Sequence, residues 1–580
     1  MSRSPRRLTA TVGLSVLAVL VCSCATVPGE SAAVVITQVN DDLDQPVGVE
    51  PLSPEPGASP EEIVRGFIQS TASTAQGRPV SREYLIAERA QSWDDTAGIT
   101  VIEPEFSAVT MGPETTVRVT GQRVGTVDRS GIFSPSIEEF TIDLPVVLEG
   151  DEWRIAEPTA GIVITRIDFA RAYEQRNIYF LDPTSRFVVP DPRFFVRGGR
   201  AQSTQLVERL LAGPNLALAP AVNNQLGDVA LASNVLVTNR RARVELTQVG
   251  ERDDQRLEGM SAQLAFTLLG QLSIQSLEIT VDGALLQLPN VGSVQELSDW
   301  LSFDPHAVAG SITGVGHYID GGAVRTVDGN AIAGAAGEGV YGLTNAAVSI
   351  DDSTGGLLSL AGLAVTGQSS TLFVGPYEGD LTQVLSEARL TPPSWSGVAD
   401  EVWTVRNGSD VVRIPTGGQP QVVPAPELAG TGAVRAFELS PGGSRAALII
   451  ETEAGPALFI AGIVRTTDSV TLTTHRPIAP NLTNVEDVSW TSAESLIVLA
   501  ADARGEQVVP YTIGVDGWGV TALTTDGLPS EPDSVAAAPN RAPLVSAAGT
   551  VWQFVSGADI WAVLTPGQAP LTGTAPFYPS

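Results

Sequence analysis

The chain has 580 residues, 43% apolar and 17% charged, which is enough for packed cores and implies about three to five domains rather than a disordered chain. Its 34 basic residues are all arginine against 65 acidic ones, a net charge of −31, and such a chain repels phosphate backbones, so nucleic acid is excluded as a partner. Without lysine there is no Schiff base, P-loop lysine or Ser–Lys dyad. With three histidines (His306, His317, His475) and two cysteines (Cys22, Cys24), Ser–His catalysis and metal centres lack parts.

At the N-terminus, Arg3, Arg6 and Arg7 precede an uncharged, mainly apolar run from Leu8 to Val21. That run is too short to span a bilayer and has the length of a signal-peptide core. It ends in Val21-Cys22-Ser23-Cys24, which resembles the bacterial lipobox. The resemblance implies a lipoprotein signal peptide over 1–23, cleavage between Ser23 and Cys24, and a lipid on Cys24 carrying acyl chains such as palmitate. Cys22 in the penultimate slot departs from the usual Ala or Ser, and a second reading places the lipid on Cys22 itself. Multiple acyl chains would hold the protein stably at the membrane. Residues 24–58 carry five prolines and the acidic stretch Asp41-Asp42-Leu43-Asp44, and read as a disordered tether.

Over 59–165 the sequence predicts helices followed by antiparallel strands. Ser59-Pro60-Glu61-Glu62 is a capping box with proline at the first helical position, and Ile63, Val64, Phe67 and Ile68 share one face. A second helix is predicted from Ser81, carrying Tyr84, Leu85, Glu88 and Trp93. Strands follow at Phe106–Met111, Thr116–Arg123, Phe140–Leu148 and Trp153–Ile155. This α+β order resembles the nuclear transport factor-like domains. Its nearby acids, Glu88, Asp94 and Asp95, read as solvated charges.

Over 174–290, strands are predicted at 177–182 and 187–190, a helix over Gln205–Leu211 ending at Gly213-Pro214, a strand pair at 235–237 and 242–246, a helix over Leu257–Leu269 and a strand at 277–283. With Tyr179-Phe180, Leu210-Leu211-Ala212-Gly213-Pro214, Arg243-Val244-Glu245-Leu246, Thr267-Leu268 and Val281-Asp282-Gly283, this order resembles the GerMN domain, which implies a binding or assembly module. A helical linker over 291–309 is expected from the capping box Ser293-Val294-Gln295-Glu296. The acids Glu251, Asp253, Asp254, Glu258, Asp351 and Asp352 read as turns and helix starts.

From 310 to 580 helix signals vanish. An apolar residue, a small residue (usually serine) and a turn recur at Val348-Ser349, Trp395-Ser396, Leu439-Ser440, Val488-Ser489-Trp490 and Ala537-Ala538, at a period of about 40–50 residues that predicts a β-propeller. Six blades are expected, with five or seven as alternatives, the sixth shared between 316–327 and 575–579. Trp395, Trp403, Trp490, Trp518, Trp552 and Trp561 are expected to pack between blades rather than stand exposed as binding platforms. Gly337-Glu338-Gly339-Val340-Tyr341-Gly342 fits a dinucleotide-binding pattern but opens no helix, and reads as a loop.

Taken together, a lipobox, a tether, a transport-factor-like module, a GerMN-like module and a propeller resemble the actinobacterial LpqB lipoprotein family. The resemblance implies a lipid-anchored protein on the outer face of the cell membrane that binds the extracellular domain of the sensor histidine kinase MtrB and modulates signalling to the response regulator MtrA, in cell division and cell-wall homeostasis. No catalytic residue, cofactor or metal is expected. The propeller is expected to read a cell-wall ligand or to present a second protein surface. A rival reading, a surface lipoprotein whose propeller binds or hydrolyses carbohydrate or peptidoglycan, requires carboxylates or tryptophans clustered at the propeller mouth.

Overall fold

The computed structural model describes residues 51–580, apart from 113–114, 200, 305–314, 352–353, 506 and 568. The signal peptide, Cys22, Ser23, Cys24, His306 and Asp352 lie outside the described residues, as does the tether up to residue 50.

The first module starts as its capping box dictates. Helix α1 (Pro60–Ser70) has Ser59 Oγ accepting from the Glu62 amide and Glu62 Oε2 accepting from the Ser59 amide at 2.8 Å. It buries Ile63, Val64, Phe67 and Ile68 against the sheet. The end of the expected tether is seated rather than loose: the Leu52 carbonyl accepts from Tyr84 Oη (2.8 Å), and the Gly57 amide donates to Glu152 (3.2 Å). The single helix expected from Ser81 is two, α2 (Pro79–Glu83) and α3 (Ala87–Ser92). Between them Tyr84 and Ile86 exchange backbone bonds with Ile155, so sheet pairing overrides helix continuation. The sheet runs 152–155, 133–149, 116–127, 99–102, 162–165, with 99–102 and 162–165 parallel and 107–111 pairing 116–127.

A helix not foreseen, α4 (Arg166–Ala172), is capped by Thr165 and drives Phe169 into the core. It leads into a two-stranded ribbon, Tyr173–Leu181 with Val188–Val196, that opens the second module. There α5 (Gln202–Ala212) and α6 (Asp254–Leu268) cover a sheet in which 241–247 and 276–281 run parallel, as a crossover through α6 requires. Asp253 caps α6, and residues Gly259–Leu268 are all buried, which explains the weak amphipathic signal of this helix. The linker expected over 291–309 is part of this module. Glu296, not Ser293, caps a 3₁₀ helix (Leu297–Phe303) whose Trp300 is buried with α6.

The C-terminal half forms six antiparallel sheets, mostly four-stranded. Their innermost strands (Asn345–Ile350, Ser394–Trp395, Ala433–Leu439, Leu482–Trp490, Ser534–Ala536 and Thr574–Phe577) contact one another in a closed ring. The last of these strands completes the first blade: Thr574–Phe577 pairs with His317–Asp320, and Ser580 exchanges backbone bonds with Val348 and Ile350. Joining the chain ends in one blade removes the open edges that a linear array would expose. The recurring serine has a local role. Ser349 Oγ accepts from the Ser359 amide (3.1 Å) and Ser440 Oγ from the Arg445 amide (3.1 Å), closing the turn after the inner strand. The glycine-rich stretch at 337–342 is a turn, not a nucleotide loop.

Trp518, on a blade-five loop, packs into the core of the first module. Its ring centroid lies 5.1 Å from Phe133, 5.0 Å from Phe169 and 5.3 Å from Phe194. Around it Gln175 Nε2 donates to Asp516 (2.7 Å), Tyr179 Oη to Glu494 (3.0 Å) and Arg445 to the Pro190 carbonyl (2.5 Å). Apolar packing and hydrogen bonds thus join the propeller to both preceding modules.

Candidate functional site: the propeller mouth

The six inner strands enclose a pocket of about 200 Å³. Its walls combine prolines, alanines and aromatic rings with serines and two acidic side chains, and Phe187 of the second module reaches its rim. Trp395 and Trp490 line it but are buried: their indole N–H groups donate across blade boundaries to the carbonyls of Ala347 (3.0 Å) and Glu438 (3.2 Å). Trp403 and Trp561 are buried between blades as well, so four of the six tryptophans follow the packing expectation. Trp552 is half-buried and Trp518 joins the modules.

Two carboxylates in the mouth went unnoticed in the sequence, Glu438 of blade four and Asp487 of blade five. Burial pushes Glu438 up to about 8, with the Asp487 charge adding to the effect. Burial likewise pushes Asp487 up to about 7, against the hydrogen bonds it accepts from the amides of Val535 (2.8 Å) and Val488 (3.0 Å). Ser489 Oγ donates to Glu438 Oε1 (3.0 Å) and accepts from the Ala537 amide (3.0 Å), tying blades four, five and six together. Glu438 Oε2 is buried without a partner. Period two places Asp487 and Ser489 on one side of their strand, but any mid-strand acid has this pattern, so only the ring geometry marks these two.

The mouth offers a neutral carboxyl that donates a hydrogen bond, or a carboxylate that takes a cation. Ser489 has no histidine at hand. His317 is held by Tyr377 Oη (2.6 Å) and stacks on Phe577, with burial pulling its pKa down to about 4, and His475 bonds Thr431 (2.7 Å). Among the described residues no group of three His, Cys, Asp or Glu side chains is placed to hold a metal.

Other acids are structural. Asp95, expected to be solvated, is buried between Arg78 and Arg82, both at 2.8 Å, because Arg78 at the start of α2 and Arg82 within it both turn inward. Asp94 stays exposed beside Arg129. Glu401 is buried against Arg465 (2.6 Å), Arg413 (2.9 Å) and Trp403 Nε1 (2.9 Å). Among the described residues no helix is long and apolar enough to cross a membrane.

Comparison with known proteins agrees with this architecture. Residues 53–170 match the lipoprotein LpqB N-terminal domain, 177–287 match a sporulation and spore germination domain, and 321–579 match the lipoprotein LpqB β-propeller domain. Over the full length the chain is similar to lipoprotein LpqB of Rhodococcus opacus, 28% identical with 91% of this chain and 90% of that protein covered. It is likewise 28% identical to the Mycobacterium tuberculosis protein of that name (96% and 97% covered) and to that of Thermobifida fusca (99% of each). Domain order, ring closure and these matches agree: the chain belongs to the LpqB lipoprotein family.

Proposed function

We propose that the chain is a lipid-anchored, extracytoplasmic adaptor, held at the cell membrane through Cys24. It binds the extracellular domain of an MtrB-like sensor histidine kinase and modulates two-component signalling linked to division and wall homeostasis. The observation that carries the reading is the build of the molecule: three modules joined through Trp518, as an adaptor that presents surfaces from each of them requires. A rigid adaptor changes kinase activity only if it binds two kinase states with different affinity. Immobilised full-length lipoprotein in detergent is expected to capture the kinase's extracellular domain and to change autophosphorylation of the intact kinase in vesicles. No capture, with both proteins folded, removes the proposal. Cys24→Ser is expected to move the protein from the membrane to the soluble fraction.

A second reading has one observation in its favour. The mouth holds the carboxylates that a carbohydrate- or peptidoglycan-binding propeller requires, Glu438 and Asp487. On that reading soluble peptidoglycan fragments bind the wild type in calorimetry, and Glu438→Gln weakens them.

A further inference from the structure

We propose that the cleft where the three modules meet is a binding site for a phosphate group, held by Arg445 and Arg476. The cleft has a volume of about 530 Å³ and is walled by 128–134 of the first module, 191–193 and 212–218 of the second, and blade four with the Asp516 loop.

Register places the two arginines together. Arg445 pairs with Gly462 and Arg476 with Ile460, on strands flanking the same middle strand. Opposed residues share a face, and 460 and 462 share one, so both guanidinium groups rise from the same side of the blade. Gly462, between them, contributes no side chain.

Neither arginine is held in a contact ion pair. Arg193, in the same cleft, is ion-paired with Asp191 at 2.6 Å. Arg445 is only 6% exposed, yet among the described residues neither it nor Arg476 has a carboxylate within 4.0 Å. Arg445 gives one donor to the Pro190 carbonyl and Arg476 one to the Val515 carbonyl (3.3 Å). A buried, unpaired guanidinium is costly, and burial lowers the pKa of both, that of Arg445 to about 10. Asp191, Asp516 and Glu494 act on Arg445, and Asp516 and Asp191 on Arg476, from beyond ion-pair distance, so the guanidinium donors facing the cleft stay open to an entering anion. In a chain of net charge −31 that attraction is local to this cleft.

Phosphate fits better than carboxylate. Each guanidinium offers a planar fork, and two forks from separate strands need more than the two oxygens of one carboxylate. The site lies apart from the mouth and does not rest on the adaptor reading.

Calorimetry of the detergent-solubilised full chain with inorganic phosphate, at constant ionic strength in chloride, tests it. One phosphate per chain should bind saturably below about 10 mM, with Arg476→Gln weakening it about tenfold or more and Arg504→Gln, an exposed arginine outside the cleft, leaving it unchanged. Arg445→Gln is expected to abolish binding. Should that variant fail to fold, the less buried Arg476→Gln decides, its fold checked by circular dichroism. The proposal is overturned if the wild type shows no saturation, if Arg476→Gln binds as the wild type does, or if acetate saturates the same site equally. Kinase capture by the same preparations is scored separately, so either idea can fail without the other.

Discussion

Trp518→Ala is expected to uncouple the propeller from the modules that precede it. The indole fills an aromatic cage of Phe133, Phe169 and Phe194, and truncation leaves a cavity that neighbouring backbone cannot close. Large aromatic-to-alanine losses of this kind cost about 3 kcal/mol. Because the cost falls on a contact between modules, a single melting transition should split in two, with the first and second modules unfolding before the propeller, and limited proteolysis should release a propeller fragment. Gly517→Ala is a companion that leaves the indole in place. Its φ of +93° is strained for alanine, and a Cβ there would lie 2.3 Å from the Ile478 carbonyl oxygen and 2.8 Å from Pro135. It should give the same split more weakly. A single unchanged transition in Trp518→Ala would show that the remaining polar bonds suffice to couple the modules.

The second large effect lies at the mouth and carries a definite sign with pH. Glu438 and Asp487 have folded-state values of about 8 and about 7, both above their unfolded values of 4.5 and 3.8. Between those limits the folded state binds more protons than the unfolded state, so their contribution to stability is complete in acid, below about pH 4, and is lost as the pH rises through 7 and 8. Glu438→Gln keeps the shape and the acceptor for Ser489 but removes the charge. It should therefore stabilise the protein at pH 8, by about 2 kcal/mol, and leave it little changed at pH 5. Denaturant titrations of the two proteins across pH 4–9 read this directly. Parallel pH profiles for wild type and variant would mean that Glu438 ionises freely in the channel. The amides of Val535 and Val488 favour the charged form of Asp487, so Asp487→Asn should show the same sign with a smaller effect.

Local signals in the chain were dependable where one segment sufficed. Ser59 and Glu62 form the capping box their spacing announces, Gly213 ends α5, and Ser349 and Ser440 close the turns after their inner strands. They failed where a distant partner decided. Tyr84 and Leu85 read as helix and are held by Ile155, and Asp95 read as solvated and is enclosed by two arginines. Trp518 read as blade packing and belongs to the core of another module. Helix α4 was missed because seven residues carry too little periodicity to stand out.

Period, charge and composition by themselves determined that this is a strongly acidic chain of several modules ending in a propeller, with no lysine, two cysteines and three histidines. These properties are additive along the chain and survive without knowledge of contacts. Six blades closed through both chain ends were expected from the sequence, and 317–320 pairs with 574–577 as that closure requires, but only the tertiary structure decided that Glu438 and Asp487 converge from neighbouring blades and that Arg445 and Arg476 face a cleft roofed by the other modules. Each of those facts depends on residues tens to hundreds of positions apart, and burial, which sets their chemistry, is a property of the assembled fold rather than of any segment.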